Sequence, residues 1–213
     1  MEATRIIAIR HGETAWNVDT RIQGQLDIPL NENGRWQAQR LARALAARDA
    51  VDTVYTSDLL RAWETARAVS ESTGAPLLTD EGLRERGFGV FQGKTFLEIE
   101  ATRPEDALRW RQRDPQWAPE GGESLVDMRV RVTQTLDTLA GRHCGEQIVL
   151  VAHGGVLDLL YRAATGQELQ APRTWQVGNA AVNRLLWTPE GLTLVGWSDT
   201  SHLDDESLDE TST

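Results

Sequence analysis

Two histidines each follow a strongly apolar run and are each followed by glycine. His11 comes directly after residues 5–10 (RIIAIR), and His153 comes directly after residues 147–152 (QIVLVA). Both runs are typical of buried β-strands, so both imidazoles are predicted at the carboxyl ends of strands, where open α/β sheets bind their ligands. The glycines let a ligand approach the backbone closely, and the N–H groups of a following helix favour an anion.

Two arginines are expected at the same edge of the sheet. Arg10 is the last residue of the first predicted strand, and Arg61 follows the predicted strand 51–57 (VDTVYTS) in the first turn of a helix. Taken singly, such residues are more often structural than catalytic. Together, two guanidinium groups and two imidazoles are better suited to bind a tetrahedral dianion than a neutral ligand. The combination therefore predicts a pocket for a phosphoryl group.

The elements that must position these residues alternate between strand and helix. Amphipathic or capped segments predict helices at 31–48, 58–72 and 156–164. Two apolar runs, 181–187 and 192–197, are joined by the turn 189–191 (PEG) and predict a hairpin. This order favours an α/β fold, a three-layer αβα sandwich with a mostly parallel central sheet and one antiparallel edge strand. The pattern weakens between about residues 82 and 122, which we interpret as a helical insert over the active site.

Length and charge limit the classes of protein that fit. The 213 residues suit a single domain, which we place at residues 1–198, followed by an acidic, flexible tail at 199–213 that contains no lysine or arginine. The formal net charge of −10 argues against nucleic-acid or anionic-membrane partners. No signal peptide or membrane span is recognisable, and the single cysteine, Cys144, suits a reducing compartment and excludes a Cys-rich zinc site. We therefore expect a cytoplasmic protein.

Four short strings, in this order, resemble the motifs of the histidine phosphatase superfamily, the phosphoglycerate-mutase-like family, in its branch of small bacterial phosphatases. They are residues 10–14 (RHGET), 57–62 (SDLLRA), 83–85 (LRE) and 152–155 (AHGG). The resemblance extends from about residue 5 to residue 200. It implies a phosphomonoester hydrolase that works through a phosphohistidine, without a metal or other cofactor, on a small phosphorylated metabolite of the sugar-phosphate or phosphoglycerate type.

The resemblance also implies a role for each residue of the site. His11 would be the nucleophile, Arg10, Arg61 and His153 would bind the phosphoryl group and stabilise its charge in flight, and Glu85 would be the general acid. A neutral imidazole is a good nucleophile when its other nitrogen is held as an N–H donor. The remaining phosphate-binding positions that the resemblance implies are Asn17, Gln23, Gly24 and Gly154.

Several alternatives stay open on the sequence alone. Glu85 could simply pair with Arg84 or Arg86, in which case Glu13 or Asp58 would be the acid. The chain could be a cofactor-dependent phosphoglycerate mutase that uses 2,3-bisphosphoglycerate, with a substrate carboxylate bound by arginines of the alternating set Arg109, Arg111 and Arg113. A pseudo-enzyme that only binds phosphorylated ligands is disfavoured, because every residue that the chemistry needs is present. Trp110 or Trp117 could contact an apolar part of the substrate, and a homodimer is possible.

Overall fold

The computed structural model describes residues 2–204. Its strands are β1 (Thr4–Arg10), β2 (Thr53–Thr56), β3 (Leu77–Thr79), β4 (Gln147–Ala152), β5 (Val182–Thr188) and β6 (Gly191–Asp199). Its helices are α1 (Ala15–Val18), α2 (Glu32–Arg48), α3 (Leu60–Thr73), α4 (Phe96–Thr102), α5 (Pro104–Arg111), α6 (Leu125–Ala140) and α7 (Gly154–Thr165). Short 3₁₀ turns lie at Glu81–Leu83, Gly89–Phe91 and Ser201–Leu203.

The strands form one sheet in the order β3-β2-β4-β1-β5-β6. Strands β1, β2, β3 and β4 pair in parallel, whereas β5 pairs antiparallel with both β1 and β6. This confirms the predicted mostly parallel sheet, and the β5–β6 hairpin is its antiparallel edge. In the register of β1 and β4, Arg10 lies opposite Ala152, so the residues that follow these two, His11 and His153, leave the sheet side by side.

Helices cover both faces of the sheet, because alternate strand residues point to opposite sides. Ile7 and Ile9 of β1 pack with the buried residues of α2 and α3, while Ile6 and Ala8 pack with those of α6 and α7. The predicted three-layer αβα arrangement is therefore confirmed. Burying both faces of β1 and β4 holds the two strand ends that carry the histidines in a rigid layer.

The helix boundaries follow signals that the sequence contains. Asn31 caps α2 by accepting a hydrogen bond from the backbone N–H of Gly34 at 2.7 Å, as the sequence predicts. Gly74 and Gly166 end α3 and α7 in the left-handed conformation, with φ of 74° and 68°, which costs glycine no steric penalty. These caps fix where the helices on the two faces begin and end.

The segment predicted as a helical insert contains α4 and α5, whose individual bounds the sequence does not predict. It has a small core of its own, in which Phe91, Ile99 and Ala107 are buried beneath partly buried aromatic side chains. An isolated bridge between Phe88 and Gly122 closes the segment.

The chain end that the sequence assigns to the acidic tail begins within the fold. Asp199 is the last residue of β6, and Arg40 of α2 donates hydrogen bonds to the carbonyls of His202 and Asp204, each at 2.9 Å. The rest of the predicted tail, residues 205–213, lies outside the described residues. Within residues 2–204, no helix combines the length and the apolar character that a membrane crossing requires.

Candidate active site

His11 lies immediately after β1 and is held in one orientation. Its Nδ1 lies 2.7 Å from the carbonyl oxygen of Gly12, an acceptor only, so Nδ1 carries the proton and donates it. The backbone N–H of Gly12 in turn donates to Thr65 Oγ1 at 3.0 Å. This tautomer places the lone pair on Nε2, the nitrogen that would attack an electrophile.

The second histidine faces the first across the end of the sheet. The ring centroids of His11 and His153 are 5.3 Å apart, with planes tilted by 56°, and the backbone N–H of His11 donates to the Ala152 carbonyl at 3.0 Å. Both ring nitrogens of His153 are buried and have no hydrogen-bond partner among the described residues. Buried polar atoms are normally paired, so an acceptor or donor supplied by a ligand fits at this point.

Two arginines converge on the same place. Arg61, at the start of α3, donates from Nη2 to the Gly24 carbonyl at 2.7 Å, from Nη1 to the Leu26 carbonyl at 2.9 Å, and from Nε to His11 Nε2 at 3.3 Å. Arg10 donates from Nη1 to the Val177 carbonyl at 2.7 Å, and its buried Nε has no partner in the described part of the chain. Hydrogen bonds to backbone carbonyls therefore hold both guanidinium groups beside the histidines.

Burial and neighbouring cations set the charge of the site. Burial, reinforced by Arg61 and Arg10, holds the pKa of His11 well below its ordinary value of 6.5. Burial, then Arg61 and the other nearby cations, does the same to the pKa of His153. Burial lowers the pKa of Arg61 to about 10, which still leaves it cationic at neutral pH. The pocket thus combines neutral imidazoles with fixed positive charge, as attack on an anionic phosphoryl group requires.

Glu85 lies at the same edge and is held by backbone donors. Its Oε2 accepts from Gly155 N–H at 3.0 Å, and its Oε1 accepts from Arg86 N–H at 2.7 Å. The Arg86 guanidinium instead donates to the carbonyls of Glu123 and Trp117. The Glu85 side chain is therefore not paired with the Arg86 guanidinium.

The other carboxylates that the sequence left open are engaged elsewhere. Asp58 forms a two-pronged ion pair with Arg84, which lowers the pKa of Asp58 through the hydrogen bond to that guanidinium. Glu13 Oε1 accepts from Asn31 Nδ2 at 2.8 Å, at the cap of α2. Of the three candidates, Glu85 is the one that lies beside Gly154 and Arg10.

The remaining predicted phosphate-binding residues surround this centre. Asn17 Oδ1 accepts from Thr14 in the capping box of α1, and the buried Gln23 accepts from Thr14 Oγ1 at 3.0 Å. Gly24, with φ of 53°, supplies the carbonyl that holds Arg61. Gly154 begins α7, and a Cβ placed there would lie 3.6 Å from Arg10 Nε and 3.8 Å from Glu85 Oε2.

A cleft extends from Arg10 and Glu85 towards the insert. One part of its wall is apolar and consists of Phe88, Trp110, Leu125, Met128 and Leu159. Trp110 lines this cleft and Trp117 does not, although both rings pack against Phe91, with centroids 5.6 and 5.7 Å from it.

The three alternating arginines separate in the structure. Arg109 is exposed, and Arg111 pairs with Glu100 at 2.5 Å on the surface. Arg113 lines the cleft but is held by Asp158 Oδ2 at 2.9 Å and by the Leu169 carbonyl. These positions do not form an adjacent pair of free guanidiniums.

Comparison with known proteins identifies the family. The model of the histidine phosphatase superfamily (branch 1) matches residues 6–200. The chain belongs to the histidine phosphatase superfamily.

Individual relatives agree with that assignment. The chain is 40% identical over 209 residues to phosphoglycerate mutase-like protein 4 of Arabidopsis thaliana, covering 96% of this chain and 89% of the relative. It is 40% identical over 190 residues to glucosyl-3-phosphoglycerate phosphatase of Mycolicibacterium vanbaalenii, covering 85% and 83%. The solved structure of Bacillus stearothermophilus YhfR superposes with a TM-score of 0.88 at 34% identity, covering 95% of this chain and 100% of that one. The predicted family and enzyme class, a histidine phosphatase, are confirmed.

Three residues of this histidine phosphatase site were not found from the sequence. Asn179 Nδ2 donates to the His11 carbonyl at 2.8 Å, Thr65 accepts from Gly12 N–H, and Gly155 N–H binds Glu85. Asn179 and Thr65 lack any local signal, because they reach the site from a loop and from the second turn of α3. Gly155 has one, the repeated glycine after His153. Within residues 2–204, no group of three or more His, Cys, Asp or Glu side chains is placed to hold a metal ion.

Proposed function

We propose that this chain hydrolyses the phosphomonoester of a small phosphorylated metabolite by way of a phosphohistidine at His11. The observation that carries the proposal is the pair of buried, neutral imidazoles 5.3 Å apart between two guanidiniums. His11 carries its lone pair on Nε2, where it accepts a long hydrogen bond from Arg61 Nε at 3.3 Å. The ring nitrogens of His153 have no partner within residues 2–204 and suit phosphoryl oxygens.

In the first step, His11 Nε2 forms a bond to phosphorus while the bond from phosphorus to the ester oxygen breaks. Arg10, Arg61 and His153 donate hydrogen bonds to the phosphoryl oxygens as their charge shifts, which is the main source of rate acceleration in phosphoryl transfer. Glu85, held beside Arg10 and Gly154, gives its proton to the leaving oxygen.

In the second step, water attacks phosphorus and the Nε2–P bond breaks. Glu85 takes a proton from that water, which returns the acid to its starting state, and inorganic phosphate leaves. The guanidiniums supply the positive charge that a divalent cation supplies in other phosphoryl-transfer enzymes, so we expect no metal requirement.

The substrate class follows from the relatives together with the cleft. A relative named glucosyl-3-phosphoglycerate phosphatase aligns over most of both chains, and the cleft beside the phosphate pocket has an apolar wall and several arginines. We therefore favour phosphoglycerate-type or sugar-phosphate substrates. The mutase alternative uses arginines of the set Arg109, Arg111 and Arg113 to bind the substrate carboxylate, and these side chains do not converge on the cleft. We therefore favour hydrolysis over transfer of the phosphoryl group to a second substrate oxygen.

The test is release of inorganic phosphate from p-nitrophenyl phosphate and from a panel of phosphorylated metabolites. We expect turnover that survives EDTA, is inhibited by vanadate and is lost in the His11→Ala variant. Strong dependence on an added divalent metal would contradict the proposal. For the mutase alternative, 3-phosphoglycerate is supplied with 2,3-bisphosphoglycerate, and rapid isomerisation without phosphate release would overturn the choice of hydrolysis.

A further inference from the structure

Charged side chains line the cleft beyond the phosphate pocket, and one of them has no partner in the part of the chain that the structure describes. The charged lining consists of Arg10, Glu85, Arg86, Arg113, Asp158 and Arg173. Arg10, Arg86 and Arg113 are each held by a carbonyl or a carboxylate. Arg173 is exposed, and no acceptor in residues 2–204 binds its guanidinium. This side chain adds a positive charge to the cleft that no group within residues 2–204 neutralises by contact.

Arg173 lies close to the reacting end of the cleft. Its charge contributes to lowering the pKa of Arg10, after burial, and it also lowers the pKa of Arg113. Both effects are repulsions between like charges, and Arg10, Arg113 and Arg173 line the same cleft. An anion bound among these guanidiniums relieves that repulsion. The phosphoryl group of the substrate already occupies the pocket at Arg10, so it does not neutralise Arg173. A second anionic group on the substrate therefore fits at Arg173.

Asp158 provides an independent sign that a ligand binds in this cleft. Its side chain is 8% exposed, and its Oδ2 accepts from Arg113 and from Arg162, each at 2.9 Å. Its Oδ1 is buried and has no hydrogen-bond partner among the residues described. A buried carboxylate oxygen normally accepts a hydrogen bond, so a donor on the ligand suits this position.

We propose that Arg173 binds a carboxylate on the organic part of the substrate and that Asp158 Oδ1 accepts a hydrogen bond from a neighbouring hydroxyl or ammonium group. The inference rests on the proposed phosphatase function and narrows its substrates to small phosphorylated hydroxy acids or amino acids. Met128 and Leu159 line the cleft along with these two groups and cover the carbon chain. Arg173 and Asp158 are specificity-determining residues that do not touch the phosphorus.

The test compares two substrates that differ at one group. 3-Phosphoglycerate carries a carboxylate where glycerol 3-phosphate carries a hydroxymethyl group. In the Arg173→Gln variant, we expect kcat/KM for 3-phosphoglycerate to fall by about 10- to 100-fold, mainly through KM, because a charge-assisted hydrogen bond is lost. The values for glycerol 3-phosphate and p-nitrophenyl phosphate stay within about twofold. Arg173→Lys restores part of the loss, and Arg109→Gln, on the exposed face of α5, is the matched control.

An equal loss on both substrates, or no loss on either, would overturn the assignment of Arg173. The donor subsite is tested on the unaltered enzyme with 3-phosphooxypropionate, which lacks only the 2-hydroxyl of 3-phosphoglycerate. We expect its kcat/KM to be about tenfold lower, and equal values would overturn the role of Asp158. If the enzyme turns over p-nitrophenyl phosphate without preferring 3-phosphoglycerate to glycerol 3-phosphate, this inference alone fails. If it hydrolyses no phosphomonoester, the proposed function fails.

Discussion

Gly155 N–H donates to Glu85 Oε2 at 3.0 Å, and this bond joins the proposed general acid to the helix that begins after His153. The acid comes from a loop 70 residues earlier in the chain, where no regular element holds it. The first turn of α7 has N–H groups that need acceptors, and Glu85 satisfies one of them. The same turn therefore places the acid beside the phosphate pocket.

The Gly155→Ala variant tests that placement. A Cβ at this position would lie 2.3 Å from Glu85 Oε1 and 3.0 Å from Met128 Cε, so the carboxylate must move. We expect kcat for substrates with poor leaving groups to fall by about 10- to 1,000-fold, part or all of the contribution of a general acid. The matched control is Gly196→Ala in β6, where a Cβ meets nothing within 4 Å. Full activity in Gly155→Ala would show that Glu85 does not need this position.

The Glu85→Gln variant separates leaving-group protonation from binding. A p-nitrophenolate leaves without a proton, whereas the alkoxide of 3-phosphoglycerate needs one. We expect the rate of His11 phosphorylation, followed by rapid quench, to fall by about 10²- to 10⁴-fold for 3-phosphoglycerate. For p-nitrophenyl phosphate the rate changes little. An equal loss on both substrates argues against Glu85 as the proton donor.

Arg61→Lys tests whether the planar guanidinium is required. Arg61 spans the Gly24 and Leu26 carbonyls and His11 at once, which a single ammonium cannot do. We expect kcat to fall by about 10²- to 10³-fold, as for the loss of one preorganised donor to the transition state. Arg67→Lys on the same helix, where Arg67 pairs loosely with Glu71 at 3.7 Å, is the control and keeps full activity. A fully active Arg61→Lys enzyme would show that charge alone suffices.

Stability should depend on pH through the two buried histidines. Their pKa values are lowered well below the ordinary 6.5 in the folded protein, so as pH falls below 6.5 the unfolded chain binds protons that the folded chain does not. The free energy of unfolding therefore has its maximum contribution from these histidines above pH 6.5, and this contribution declines as the pH falls below 6.5. Each histidine contributes a slope of up to about 1.4 kcal/mol per pH unit.

Denaturant unfolding between pH 5.5 and 7.5 measures this slope. The carboxylates with lowered pKa values, such as Asp58 and Asp199, titrate below this window and do not contribute to it. His202, whose pKa is lowered by burial, contributes equally in every variant that retains it. The His11→Gln/His153→Gln double variant is expected to flatten the dependence, and an unchanged slope would contradict the neutral state of these imidazoles.

The parts of the site that the sequence predicts are those set by strand ends. β1 and β4 are apolar enough to be recognised, they pair in parallel, and His11 and His153 each follow one of them. Their convergence follows from that topology once the strands are adjacent, and Arg61 follows from the end of β2. The adjacency of β1 and β4, far apart in the chain, is not encoded in any local pattern.

The parts that the sequence does not predict depend on contacts between distant segments. Glu85 lies in a loop, and its position follows from the N–H of Gly155 and from family resemblance, not from periodicity. Helices α4 and α5 are short, and their core of Phe91, Ile99 and Ala107 is too small to produce a clear apolar period. Arg173 lies between α7 and β5, in a stretch without regular structure, so only the folded chain shows which cleft it lines.

The most direct test of the central claim is to trap the phosphoenzyme. Enzyme mixed with ³²P-labelled substrate and quenched in alkali should carry one label, stable to base and labile to acid as a phosphohistidine is, and peptide mapping should place it on His11. The label should be absent in His11→Gln. In Glu85→Gln labelled from p-nitrophenyl phosphate, whose leaving group needs no proton, the label should persist longer because attack by water is slowed. A competent enzyme that turns over substrate with no label on His11, or with the label on another residue, would contradict the account.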